Sequence, residues 1–168
     1  MEFDTVMQKK PTVMIFVGLA ICALIGVYLL YTNSLASIKR DADFMKLCLN
    51  NGSLQQINDA IKNGANVNAR DKDRITPLIY AAIVSDPKII TALISAGADV
   101  NAKTNKGTTA LMGAVLQKRN PEVITTLLEL GADPKVKNGD GKMAIDYARE
   151  NEKLENTEVL RRLEEASR

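Results

Sequence analysis

The feature that most constrains this chain is self-similarity at a fixed period. Gly64-Ala-Asn-Val-Asn-Ala recurs as Gly97-Ala-Asp-Val-Asn-Ala and again as Gly131-Ala-Asp-Pro-Lys-Val, at spacings of 33 and 34 residues. A second element repeats with it: Thr76-Pro-Leu-Ile-Tyr-Ala-Ala, then Thr109-Ala-Leu-Met-Gly-Ala-Val, then Met143-Ala-Ile-Asp-Tyr-Ala-Arg. A unit of that length is one supersecondary element. It cannot bury an apolar face alone, so successive copies must stack.

Each copy reads as two helices. Thr76 supplies a capping hydroxyl, and Pro77 fits the first helical position, where no N–H bond is lost. Leu78, Ala81 and Ala82 follow at i, i+3 and i+4, an apolar stripe whose alanines let neighbouring helices approach closely. Asp86 before Pro87, and Asn120 before Pro121, repeat the cap-plus-proline start for a second helix. Its apolar residues are Ile89, Ile90, Leu93 and Ile94 in one copy, and Val123, Ile124, Leu127 and Leu128 in the next. Gly97 and Gly131 then stand where a left-handed residue closes a helix. An earlier copy has helices over 44–50 and 54–62, separated by Asn51-Gly52-Ser53 with Ser53 as N-cap. A last copy begins at Gly141 and ends near Glu165. Its final helix carries Arg161, Arg162, Glu164 and Glu165, the polar outer face that a terminal unit needs.

The Thr-Pro-Leu start with its alanine pair, the second apolar helix, the Gly-Ala-Asp-Val-Asn-Ala turn and the polar loop resemble the ankyrin repeat over about residues 41–168. The resemblance implies an all-α repeat solenoid. It is an ankyrin array of helix–turn–helix units, about 41–73, 74–106, 107–140 and 141–168, with hairpin loops projecting as fingers. Departures are few. Ile79, Met112 and Asp146 stand where the family usually has His. Arg119 is a one-residue insertion, and Pro134 replaces a Val, which predicts a less regular third finger.

The N-terminal quarter differs in kind. No charged residue lies between Lys10 and Lys39, and the 19 residues from 13 to 31 are almost wholly apolar. At about 1.5 Å per residue they span roughly 29 Å, close to the hydrocarbon thickness of a bilayer. Tyr28 and Tyr31 suit the interface. The expected organisation is a tail over 1–11, a transmembrane helix or signal anchor over 12–32, a linker over 33–40 and the repeats over 41–168. A cleaved signal peptide is the rival: Lys9 and Lys10 make a basic n-region and 34–36 hold small residues. Cleavage near residue 36 would leave a secreted or periplasmic protein. Signal h-regions are shorter than this run, which favours an uncleaved single-pass anchor. The charge bias is slight, and a short N-terminal tail held inside places the repeats outside the cytoplasm, in the periplasm if the cell is bacterial. Gly18, Cys22 and Gly26 share one helix face, a candidate contact for a homodimer.

Chemistry is narrowly bounded. The chain has no His and two Cys in different segments, Cys22 and Cys48. His-based catalysis, most zinc sites and a disulfide framework have no residues to draw on. No phosphate-loop, zincin, nucleophile-elbow or EF-hand pattern occurs, and a net charge of +2 gives no general pull toward nucleic acid. The reading is a non-enzyme without metal or cofactor. Cys48 reads as a small buried residue, and Asp99 and Asp133 as turn hydrogen-bonders.

The family resemblance implies a contact surface along the fingers and the inner face of each first helix. Carried over by position, the partner-binding candidates are Arg70, Lys72, Asp73, Ile75, Ile83 and Val84; Lys103, Asn105, Lys106, Thr108, Leu116 and Gln117; and Lys137, Asp140, Lys142 and Glu150. Arg70, Lys103 and Lys137 hold the same repeat position, so stacking would align them as a basic row. Segments 70–74, 103–107 and 135–142 hold eight Lys or Arg against three Asp, a net of +5, while 41–168 as a whole is neutral with 18 of each sign. Ile83, Val84 and Leu116 would give an apolar patch inside that rim. Such a surface fits another protein with an acidic edge. A membrane-anchored scaffold or recruitment module follows, with a small inhibitor or immunity-type protein as the alternative.

Overall fold

The computed structural model describes residues 11–84, 86–117, 120–151, 154 and 157–168, with 11–20 as backbone alone. Lys9, Lys10 and the inserted Arg119 lie outside the described residues. Among those described, every regular element is a helix: α1 (Pro11–Leu49), α2 (Leu54–Lys62), α3 (Pro77–Val84), α4 (Pro87–Ser95), α5 (Ala110–Gln117), α6 (Pro121–Glu129), α7 (Ala144–Arg149) and α8 (Glu158–Ala166). The chain forms two compact units, one ending at Lys39 and the other running from Arg40 to Arg168.

In the second unit the helices stack in two layers. Within a repeat, α3 packs on α4, α5 on α6 and α7 on α8. Between repeats, α3, α5 and α7 form one row and α2, α4, α6 and α8 the other. The core lies between the rows, where Leu78, Ile90, Leu93, Leu111, Ile124, Leu127, Ile145 and Leu163 are sealed from solvent, with Phe44, Cys48 and Ile57 closing the N-terminal end. Each such side chain contributes roughly 1.5–3 kcal/mol by leaving water. Caps fix the register. The side chains of Ser53, Asp86 and Asn120 accept from the N–H groups of Gln56, Lys88 and Glu122. Buried Thr76 and Thr109 do the same for Ile79 and Met112. Met143 has no oxygen to offer, and Asp146 inside α7 takes the Met143 N–H instead, at 2.8 Å.

Asparagines tie one repeat to the next. Asn68 donates to the Gly97 carbonyl and accepts from the Asp99 N–H, each at 2.8 Å. One repeat on, Asn101 donates to the Gly131 carbonyl and accepts from the Asp133 N–H. Asp99 and Asp133 in turn hold the N–H groups of Asn101 and Lys135, so their carboxylates are turn formers. The ladder stops at Lys135, which has no amide to extend it. Pro134 does not disturb this edge, because the bonds of these turns fall on the N–H groups of residues 66, 68, 69, 99, 101, 102, 133 and 135 rather than on the position Pro134 occupies.

The far end closes with charge. Arg161 contacts Glu158 and Glu165 on its own helix, while Arg162 reaches Glu129 at 3.1 Å and Arg149 reaches Glu164 at 3.4 Å.

The first unit is a helix whose side chains from Ile21 to Tyr31 are exposed, apolar as they are. Among the described residues α1 alone is long and apolar enough to cross a membrane. Residues 33–40, expected as a linker, are helical, and the helix expected over 44–50 is the end of the same element. The reason is local: no Gly or Pro occurs from 27 to 49, so nothing interrupts the backbone ladder.

Candidate interaction surface

The three fingers are one turn built on three different residues. Asp71, Thr104 and Asn138 each accept, through a side-chain oxygen, from the N–H groups two and four residues on. Each also donates its own N–H to the carbonyl four residues on, that of Ile75, Thr108 or Lys142. The residue three places after the acceptor has positive φ: Arg74 at 60°, Gly107 at 75° and Gly141 at 76°. Only the first finger puts a side chain into that left-handed conformation, at a cost of about 1–2 kcal/mol.

Neighbouring fingers are bonded edge to edge. Asn105 donates its backbone N–H to the Asp73 carbonyl at 2.9 Å and its amide to the Lys72 carbonyl at 3.1 Å. Gly139 donates to the Lys106 carbonyl at 2.8 Å. A Cβ on Gly107 would meet the backbone of Asn138 and Gly139 at 3.0 Å, so this approach needs glycine.

A family model described as "Ankyrin repeats (3 copies)" matches residues 44–138. The chain belongs to the ankyrin-repeat family. It is also similar to the mitochondrial disaggregase of Homo sapiens, with 31% identity over 84 residues. That stretch is 50% of this chain and 12% of the human protein, so the likeness concerns a small part of that relative.

The ankyrin fingers sort the sequence candidates. Arg70, Lys72, Asp73, Lys103, Lys106, Lys137 and Asp140 present exposed side chains. Asn105, also exposed, is committed to joining two fingers. Half-buried Ile75 and Thr108 close their turns through backbone bonds. Lys142 and Glu150 pair with each other at 2.9 Å, and the Lys142 ammonium sits 5.2 Å from the centre of the Tyr147 ring. The hydrogen bond to Glu150 raises the Lys142 pKa. Among the described residues, Arg70, Lys72, Lys103, Lys106 and Lys137 form no ion pair; the pairs lie elsewhere.

The inner helix face holds the apolar candidates, unevenly. Ile83 is half-buried, and its Cγ1 lies 3.4 Å from where a Cβ on Gly113 would stand. Half-buried Val84 lines a hollow of about 210 Å³ together with Ile83, Asp86, Gln117 and Asn120. Leu116 is 46% exposed and Gln117 is exposed.

Two tyrosines on this face escaped sequence reading. The Tyr80 hydroxyl donates to Asp71 at 2.6 Å, and Asn138 donates to the Tyr147 hydroxyl at 2.7 Å. Burial pushes the Asp71 carboxyl up, but the bonds from Tyr80, Ile75 and Asp73 outweigh it and hold it below its ordinary value. The same carboxylate pushes the Tyr80 hydroxyl up to about 12. The signal was available: Asp71 to Tyr80 and Asn138 to Tyr147 are both nine residues apart. Asp71 and Tyr80 also border a hollow of about 200 Å³ lined by Ala42, Met45, Lys46 and Leu49.

Proposed function

We propose that this ankyrin protein is a membrane-anchored, non-catalytic binding module that holds another protein by an acidic edge against its fingers. One observation carries the reading. The cations at 70, 72, 103, 106 and 137 are exposed and make no ion pair among the described residues, although the array as a whole carries equal numbers of acids and bases. The fingers beneath them are cross-bonded, with glycine closing the second and third, so the positive groups sit on a stiff base that a partner need not order on binding. Rim charges of this kind act mainly on association rate and choice of partner. Leu116 and the inner-face tyrosines supply apolar contact beside them.

The anchor reading rests on the uncharged run and on apolar side chains that nothing among the described residues of their own unit covers. We place the N-terminus inside and the repeats outside the cytoplasm. Protease treatment of intact spheroplasts tests this: digestion of the repeat domain is expected, and protection would overturn the orientation. For the binding surface, Arg70, Lys103 and Lys137 are changed together to Glu in the full chain, and partners are recovered by crosslinking in intact membranes and mass spectrometry. Loss of the wild-type partner is expected; unchanged recovery would refute the basic row as the contact.

A further inference from the structure

We propose that the helix leading out of the membrane is one strand of a parallel pair, and that its partner is a second copy of this chain. The proposal rests on the anchor reading above. Ile21, Leu24, Tyr28, Tyr31, Leu35 and Ile38 are spaced alternately by three and four residues, the a and d positions of a heptad, and all six are exposed. Up to Tyr31 such a pattern says little, since lipid asks for apolar residues on every face. Past Tyr31 it becomes selective. From 32 to 39, Thr32, Asn33, Ser34, Ser37 and Lys39 are polar and Ala36 is small, while the only large apolar side chains are Leu35 and Ile38, at 48% and 63% exposure.

Lipid is a poor explanation for those two residues. They stand four and seven positions beyond Tyr31, roughly 6 and 10 Å further along the helix axis. The tyrosines mark the polar boundary of the bilayer, so both side chains emerge beyond it into water. Another copy of the chain meets this face under favourable terms. The anchor holds every copy in one bilayer, at one depth and in one direction, so equal positions come level and the a and d residues of one helix fill the gaps of the other. Most membrane helix bundles pack in the same left-handed geometry as soluble coiled coils. At about 100° per residue, this face lies roughly opposite the one bearing Gly18, Cys22 and Gly26. The two geometries for a dimer therefore exclude each other at the level of single residues.

Disulfide scanning in native membranes tests the pairing. Single cysteines replace Asn33, Ser34, Leu35, Ala36, Ser37 and Ile38 in the full-length chain carrying Cys22→Ser. Buried Cys48 is retained. After mild oxidation, covalent dimer should peak at Leu35→Cys and Ile38→Cys, several-fold above Ala36→Cys and Ser37→Cys. A flat profile, or a peak at Asn33→Cys and Ala36→Cys that continues the small-residue face, would overturn the proposal. Energy transfer between two fluorescently tagged copies gives a second readout. The Leu35→Glu, Ile38→Glu chain should fall to the level of an unrelated membrane protein, and unchanged transfer would count against the seam. Extraction separates the two levels of the argument. A chain released from membranes by alkaline carbonate refutes the anchor, whereas a resistant chain with a flat crosslinking profile refutes the seam alone.

Discussion

Residues 21–38 and the repeat array make opposite use of the same aliphatic side chains. In the array Leu78, Leu93, Leu111 and Leu127 lose all contact with water, each covered by helices from its own repeat and the next. In the N-terminal helix Leu24 and Leu30 are 69% and 71% exposed. Hydrophobicity alone does not distinguish these fates. What does is the polar pattern around it. In the array, capping oxygens, left-handed glycines and charged fingers punctuate every few apolar residues and fold them back on one another. In the helix no polar residue interrupts the run from 21 to 31, and its apolar surface stays uncovered among the described residues. Apolar length without punctuation fits the proposed bilayer anchor, and apolar length with a fixed period goes with stacking.

The largest expected effect that could break this contrast is at Leu111. Leu111→Ala should lower stability by ~2–5 kcal/mol in chemical denaturation, because the cavity lies between stacked repeats. Leu30→Ala should change the same measurement by no more than about 0.5 kcal/mol. Equal losses would mean that the two regions are not handled differently.

Asn101→Ala sharpens the account of stacking. It removes the bond to the Gly131 carbonyl and leaves the Asp133 N–H without its acceptor, so about 1–3 kcal/mol should be lost by the same assay. A neutral result would show that the aliphatic rows alone hold the repeats together.

Arg74→Gly acts the other way and is smaller. Relief of the left-handed strain is partly cancelled by the freer unfolded chain, leaving a gain of a few tenths to about 1 kcal/mol. Gly107→Ala should destabilise instead, since its Cβ would press on the backbone of Asn138 and Gly139.

The smallest effect is a pH dependence at the first finger. Tyr80 has its folded pKa raised from 10.0 to about 12, so its contribution is complete below about pH 10 and disappears as pH rises through 12. Asp71 is shifted downward, so its contribution is present at neutral pH and disappears as pH falls through the lowered value. Ultraviolet titration of phenolate should show a late-ionising component that is lost in Tyr80→Phe. No late tyrosine in the parent chain would contradict the Asp71 bond.

Much of the fold was legible because its signals are local. Ser53, Asp86 and Asn120 announce helix starts and cap them in the structure; Gly97 and Gly131 announce stops and have φ of 92° and 93°. The start of the first helix was missed because residues 27–49 carry no breaker, so local rules supply no boundary near 44. The third finger is regular despite Pro134, since no bond of that turn falls on its missing N–H. The surface was less legible. Exposure of the basic residues follows from their charge, but the pairing of Lys142 with Glu150 and the commitment of Asn105 to a neighbouring finger arise from stacking across repeats. Tyr80 reads as one more helix residue until the turn nine positions earlier is seen to need a donor.

One region hides its apolar side chains in protein, and the central proposal is that the other presents them to lipid. Photolabelling of the full chain in bilayers with a lipid-dissolved carbene reagent, mapped by peptide mass spectrometry, tests both halves together. The account predicts label concentrated between residues 13 and 31 and nearly absent from α3 to α6. Label in the repeat helices, with the N-terminal run left unmodified, would contradict it.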